Sequence, residues 1–177
     1  IALHAGWYYS EKMDGWHVAW DGHSKLRTAE KGNELQAPSW FVSLFPKGVA
    51  ISGELLQKGR DHNGTASLKG GGDWHNARFY AFDLPTDKTH TFEQRTRALE
   101  QIVDSIKSAW DGADPARNGK PVTCPVRYIK QRKLLDGKEF TQFVRDVVGC
   151  ELDRELDHQK GQAGARCLGE GVVLTDP

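Results

Sequence analysis

The chain has 177 residues, enough for one domain with a sizeable core, and its 24 basic and 24 acidic residues cancel, so no overall charge points to a nucleic-acid surface. Three cysteines, Cys124, Cys150 and Cys167, are odd in number and form no Cys-x-x-Cys pair, which argues against a disulfide framework and a zinc site and for free thiols. The seven histidines show no metal-ligand spacing on a helix, and no apolar run approaches the roughly 18 residues of a membrane span.

Residues 7 to 20, WYYSEKMDGWHVAW, are β-prone and are interrupted by Asp14-Gly15, the pattern of two strands with a tight turn between them. Lys12 then falls at the end of the first strand. That is a fitting place for a nucleophilic lysine, but an ordinary lysine, with a pKa near 10.4, is deprotonated only to roughly 0.1 % at neutral pH. A nucleophilic Lys12 therefore needs a lowered pKa, from partial burial, from a neighbouring cation such as bound magnesium, or from both.

A second turn at Asp21-Gly22 leads to a short strand, Lys25 to Thr28, and then to a loop around Gly32-Asn33. Pro38 to Phe41 reads as a helical turn opened by proline, and Val49 to Leu56 as a strand. Lys58 to Asp73 is glycine-rich. Gly70-Gly71-Gly72 lacks the Gly-Lys-Ser/Thr of a P-loop, so a plain mobile loop is expected there. Phe79 to Leu84 is another strand-like run. From Phe92 to Trp110, Leu99, Ile102, Val103 and Ile106 recur at helical spacing and predict an amphipathic scaffold helix. Gly112 to Pro121 reads as a link, Val122 to Gln131 as a strand, and Gly137 to Val148 as a second helix with Phe140, Phe143, Val144, Val147 and Val148 on one side. Residues 151 to 166 are polar and are expected to be a mobile insertion. Gly169 to Leu174 is a last strand-like run.

Four of these runs carry, in order, a functional candidate: Lys12 with Asp14 in SEKMDG, Glu54 in ISGELL, Phe82 with Asp83 in FYAFDL, and Glu170 in GEGVVL. The series resembles the covalent nucleotidyltransferases, which include ATP-dependent DNA ligases, RNA ligases and messenger-RNA capping enzymes. SEKMDGWHVAWDG followed by GNELQAPSWFVSLFP is most similar to the small bacterial-type ATP-dependent DNA ligases. The resemblance spans about residues 7 to 174.

The resemblance implies an α+β adenylation domain over residues 1 to 177, with antiparallel sheets around a nucleotide cleft and helices 92–110 and 137–148 packed outside. It implies ATP and Mg2+, nicked double-stranded DNA as the partner, and a monomer. Lys12 would form the lysyl-adenylate, and Asp14 would orient the lysine or the transferring phosphate. Glu54 would contact the ribose or the metal shell, and Glu170 would help place magnesium, as carboxylates suit a hard cation. Phe82 would stack on adenine, Ser10 and Glu11 would read its edge partly through backbone groups, and Val172 would form pocket wall.

Two features depart from the family. Its Lys-x-Asp-Gly-x-Arg pattern has His17 at the arginine position, and an imidazole does not reproduce an always-charged bidentate guanidinium. Either another cation such as Arg27 compensates, one step is weakened, or activity has been lost. The family's Ser-Arg-x-Gly element, which contacts the nucleotide or the nick, is replaced by Arg27-Thr28-Ala29-Glu30-Lys31-Gly32, so Arg27 or Lys31 is expected to supply that contact.

Relatives also continue to a Lys-x-Lys element and an OB-fold. This sequence ends at Pro177 without them and is expected to be a fragment or to have a partner that supplies them. Because it opens on Ile1, an upstream segment is expected to have been removed. The expected location is a DNA-containing compartment (cytoplasm, nucleus or mitochondrion), with the periplasm open by resemblance to the small bacterial ligases. The alternative readings are an RNA ligase or capping-type guanylyltransferase, and a degenerate, non-catalytic nucleotide-binding homologue. The segment from Arg154 to Arg166 is a further candidate DNA contact.

Overall fold

The computed structural model describes residues 4–57, 65–113, 121, 123–147 and 169–177, with side chains in the last stretch from 171 onward. In chain order the strands are β1 (Tyr8–Met13), β2 (Trp16–Trp20), β3 (Leu26–Thr28), β4 (Ile51–Gln57), β5 (Ala77–Asp83), β6 (Val126–Tyr128), β7 (Arg132–Lys133) and β8 (Gly169–Thr175). The helices are α1 (Ser39–Val42), α2 (Phe92–Gly112) and α3 (137–147), with 3-10 turns at Ala66–Gly70 and Trp74–Asn76. This is a mixed α+β fold. It divides into two compact units, one of residues 1–14 and 130–177, the other of residues 15–129.

The first unit holds a three-stranded antiparallel sheet ordered β7-β1-β8. Tyr9 of β1 meets Phe140 and Phe143 of α3 edge-on, with ring centroids 5.2 and 5.1 Å away. Such pairs contribute about 0.5–1.5 kcal/mol beyond their buried area. The expected stripe on α3 is present as far as Val147, which is buried. Val148 lies outside the described residues, as do Cys150, Cys167 and the polar stretch 151–166.

The second unit is built on a five-stranded sheet ordered β3-β2-β4-β5-β6. Four neighbours are linked antiparallel, while β6 runs parallel to β5. A parallel neighbour needs a crossover connection, and α2 lies in it. Thr91 and Gln94 form a capping box at its start, and Leu99, Val103, Ile106 and Trp110 are buried where it packs on β5 and β6. Val18, Trp20, Ile51, Leu55 and Phe79 are almost fully buried, each side chain contributing roughly 1.5–3 kcal/mol by leaving water.

Three expectations change. β1 and β2 do not form a hairpin; they belong to different sheets, and Gly15 between them lacks the positive φ that an Asp-Gly hairpin turn requires. The second turn does behave as read. Gly22 has φ +80°, and the Asp21 carboxylate accepts from the backbone N–H groups of His23, Ser24 and Lys25. The glycine-rich stretch, where described, is not a plain loop. Leu68 is buried in it, so the 3-10 turn Ala66–Gly70 is pinned to the core by an apolar side chain that the glycines obscure in the sequence, and the buried Trp74 opens a second 3-10 turn just after it. Finally, the expected strand Val122 to Gln131 is ordered as β only over Val126–Tyr128. Cys124, just before it, is a buried free thiol.

Candidate functional site

In the first unit, Lys12 is the penultimate residue of β1 and lies opposite Gly171 of β8. Ser10 and Glu11 face Val173 and Val172 in the same ladder. The register then slips, with Met13 opposite Gly169, so Glu170 is the extra residue of a β-bulge beside the lysine. Strand alternation puts Ser10 and Lys12 on one face and Glu11 on the other. The face that carries Lys12 thus presents the Ser10 side chain, and Glu11 only through its backbone. Ser10 is buried and Lys12 is exposed, so of the two expected means of activating the lysine, burial is not the one seen.

The second unit contains a matching irregularity. Gly53 pairs with Ala81 and Ser52 with Asp83, which leaves Phe82 as the extra residue of a bulge on β5. Bulges cluster at functional sites because they re-aim a side chain or interrupt pairing. Here the half-buried Phe82 ring lies 5.2 Å from the His17 ring, tilted by 51°. His17 is also the cross-strand partner of Glu54, whose Oε1 accepts a hydrogen bond from the Gly15 backbone N–H at 3.1 Å. The sheet therefore assembles His17, Glu54 and Phe82 within the second unit. Asp14 lies in the bend just before Gly15 and is half-buried.

Phe82 is held from behind. Its neighbour Asp83 receives Arg95 of α2 in a two-point contact, at 2.9 Å from Nε and 3.3 Å from Nη2, and also accepts from the Leu84 N–H at 2.8 Å. A third Arg95 nitrogen donates to the His90 carbonyl. Both charged side chains are mostly buried, at 21 and 24 % exposure, so Arg95→Ala is expected to cost about 1.5–3 kcal/mol in urea unfolding.

Beside His17 a cavity of about 170 Å³ opens in the second unit. Trp16 and His17 of β2 and Thr28 of β3 form part of it, and Glu30, Lys31, Asn33 and Lys69 complete it. Partial desolvation lowers the pKa of His17 below the usual histidine value, against an opposing pull from Glu30, although its side chain still reaches solvent. Of the two cations expected near this element, Lys31 lines the cavity and Arg27 does not; the Arg27 guanidinium donates to the Gly32 carbonyl at 3.2 Å. Sequence reasoning missed Trp16, Asn33 and Lys69. The signal for Lys69 was hidden inside the stretch read as a loop.

No family model matches the chain. It is 34 % identical over 177 residues to a DNA ligase of Haemophilus influenzae, the match covering 97 % of this chain and 52 % of that protein. The similarity runs over nearly the whole chain. The chain spans about half the length of the curated relative it matches. A structure from work on Lig E DNA ligases superposes with a TM-score of 0.61 at 25 % identity, covering 97 % of this chain and 55 % of the other. A Chlorella virus DNA ligase–adenylate superposes at 0.65 and 18 % identity, covering 97 % and 54 %, and shares the fold. The adenylation-domain fold expected from the sequence is therefore the one found. Among the described residues no helix is long and apolar enough to cross a membrane, and no group of three or more potential ligands forms a protein-only metal cage.

Proposed function

We propose that the chain is the adenylation domain of an ATP-dependent DNA ligase that seals nicks in duplex DNA. The observation that carries this reading is the pair of bulges. One falls at Glu170 beside Lys12 in the first unit and the other at Phe82 beside His17 and Glu54 in the second, in a chain similar over nearly its whole length to a DNA ligase. In the first step the neutral Lys12 amine attacks the α-phosphorus of ATP, forming an N–P bond as the P–O bond to pyrophosphate breaks. The AMP then passes to a DNA 5′-phosphate, and a 3′-hydroxyl displaces it.

Each residue has a role in this proposal. Phe82 stacks on adenine, Glu54 receives the ribose, Asp14 orients the transferring phosphate, and Ser10, Glu11 and Val172 border the base. Phosphoryl transfer asks little more of a protein than positioning and charge stabilisation. The donor set fits magnesium, which takes one or two carboxylates and keeps waters and substrate phosphates for the rest of its shell. Within the second unit Glu54, oriented by the Gly15 N–H, would supply a carboxylate to the ion, and within the first unit Glu170 is the candidate carboxylate. When bound, magnesium would offset the charge of the substrate phosphates.

The test is incubation with magnesium and α-labelled ATP or GTP, followed by a chase with nicked DNA or nicked RNA. Label from ATP that survives denaturation and is discharged by nicked DNA supports the reading. Label from GTP would replace it with capping chemistry, discharge by RNA alone with RNA ligation, and no label in a C-terminally extended chain with the degenerate alternative.

A further inference from the structure

We propose that the cavity beside Trp16 is a phosphate subsite in which Lys69, seated on the Trp16 ring, is a principal anion-binding residue. The inference rests on the ligase reading for its biological setting but on the second unit alone for its geometry. At about 170 Å³ the cavity is smaller than the roughly 300 Å³ at which pockets begin to take whole drug-sized molecules, so it suits a phosphate group and not a nucleotide. Its lining supplies two ammonium groups, Lys31 and Lys69, against one carboxylate, Glu30, with the Asn33 amide and Thr28 hydroxyl as neutral donors. In a chain of zero net charge, that local excess is selective for an anion.

Lys69 is placed there by a built support. Its Nζ lies 4.8 Å from the Trp16 ring centroid, a cation–π contact. An ammonium has three donors, so a ring beneath it leaves hydrogens for an anion above. The 3-10 turn that carries it is tied down from three sides. Leu68 is fully buried, the Ser67 hydroxyl donates to Gln57 Oε1 at 3.0 Å, and the Gln57 N–H donates to the Thr65 hydroxyl at 3.2 Å. Gln57 and Thr65 are themselves buried, which makes the turn a rigid arm of the sheet. A lysine presented in this way loses less freedom on binding than one on an open loop.

The phosphate has two possible sources, the polyphosphate of the nucleotide and the backbone of the polynucleotide. The experiment compares binding of inorganic tripolyphosphate and of a 5′-phosphorylated nicked duplex to the intact chain and to Lys69→Ala, Lys69→Arg and Lys69→Ala/His17→Arg variants. Lys69→Ala is expected to weaken one of the two ligands about 10-fold, the loss of one charge-assisted hydrogen bond. Loss for tripolyphosphate assigns the subsite to the nucleotide; loss for the duplex, with a salt slope reduced by about 1, assigns it to DNA. Lys69→Arg should retain binding, and the added arginine at 17 should restore it. Because Lys69 is exposed, the far-ultraviolet spectrum should not change. Equal binding of both ligands by the parent and Lys69→Ala would overturn the proposal. Absence of Lys12-dependent label while tripolyphosphate binding still depends on Lys69 would instead overturn the ligase reading alone.

Discussion

Lys12→Ala is expected to abolish covalent labelling by α-labelled ATP, a loss of at least about 1,000-fold, while the protein remains folded. Removing the nucleophile of a covalent mechanism eliminates the bond that the label reports, and no neighbouring group makes up for it. Lys12 is exposed near the end of β1, and surface substitutions of this kind usually change stability by less than about 0.5 kcal/mol. Lys12→Arg should fail equally, since a guanidinium does not deprotonate at accessible pH. The measurement is label retained on denaturing gels beside a urea unfolding curve. Label on Lys12→Ala at parental levels would show that another residue carries the nucleotide and would remove the basis for assigning the lysine.

The order of the candidate residues was legible because each sits on a strand of its own, and short β-branched or aromatic runs announce strands well. The lysine strand, the Glu54 strand and the long α2 helix all appear within a few residues of where periodicity places them. What the sequence concealed are features that depend on partners distant along the chain. A bulge is a mismatch between two strands, so neither FYAFDL nor GEGVVL reveals alone that Phe82 or Glu170 is the extra residue. Lys69 was hidden for a related reason. The glycines around it favour a loop locally, whereas Ser67 and Thr65 bond to the buried Gln57 at the end of β4 and Leu68 is buried in the core, and these override that preference. Arg27, whose position in the sequence suggests an anion contact, donates one guanidinium N–H to the carbonyl of Gly32, a partner that the sequence does not announce.

Gly15 is the residue whose role changes most between sequence and structure, and its substitution carries the second large expected effect. In the motif it reads as the turn residue of an Asp-Gly hairpin. In the fold its φ is not positive, and what it provides is room. A Cβ there would come within 2.5 Å of the Leu55 carbonyl oxygen and 2.7 Å of Leu56 Cγ, on the strand that carries Glu54. The carbonyl belongs to backbone in the middle of the sheet and cannot rotate away as a side-chain tip could. Gly15→Ala is therefore expected to destabilise the protein by about 1–3 kcal/mol, the usual cost of overpacking.

The same displacement would lengthen the 3.1 Å hydrogen bond from the Gly15 N–H to Glu54 and release the carboxylate from its set position. Activity should consequently fall by more than the loss of folded protein explains, because a misplacement near 1 Å costs on the order of 100-fold in a positioned reaction. Comparing Gly15→Ala with Glu54→Gln separates the two effects. Both should slow adenylation, but only Gly15→Ala should lower the urea midpoint by more than about 1 kcal/mol in equivalent stability. A Gly15→Ala protein as stable and as active as the parent would mean that β4 yields at Leu55, and that Glu54 does not depend on the close approach for its orientation.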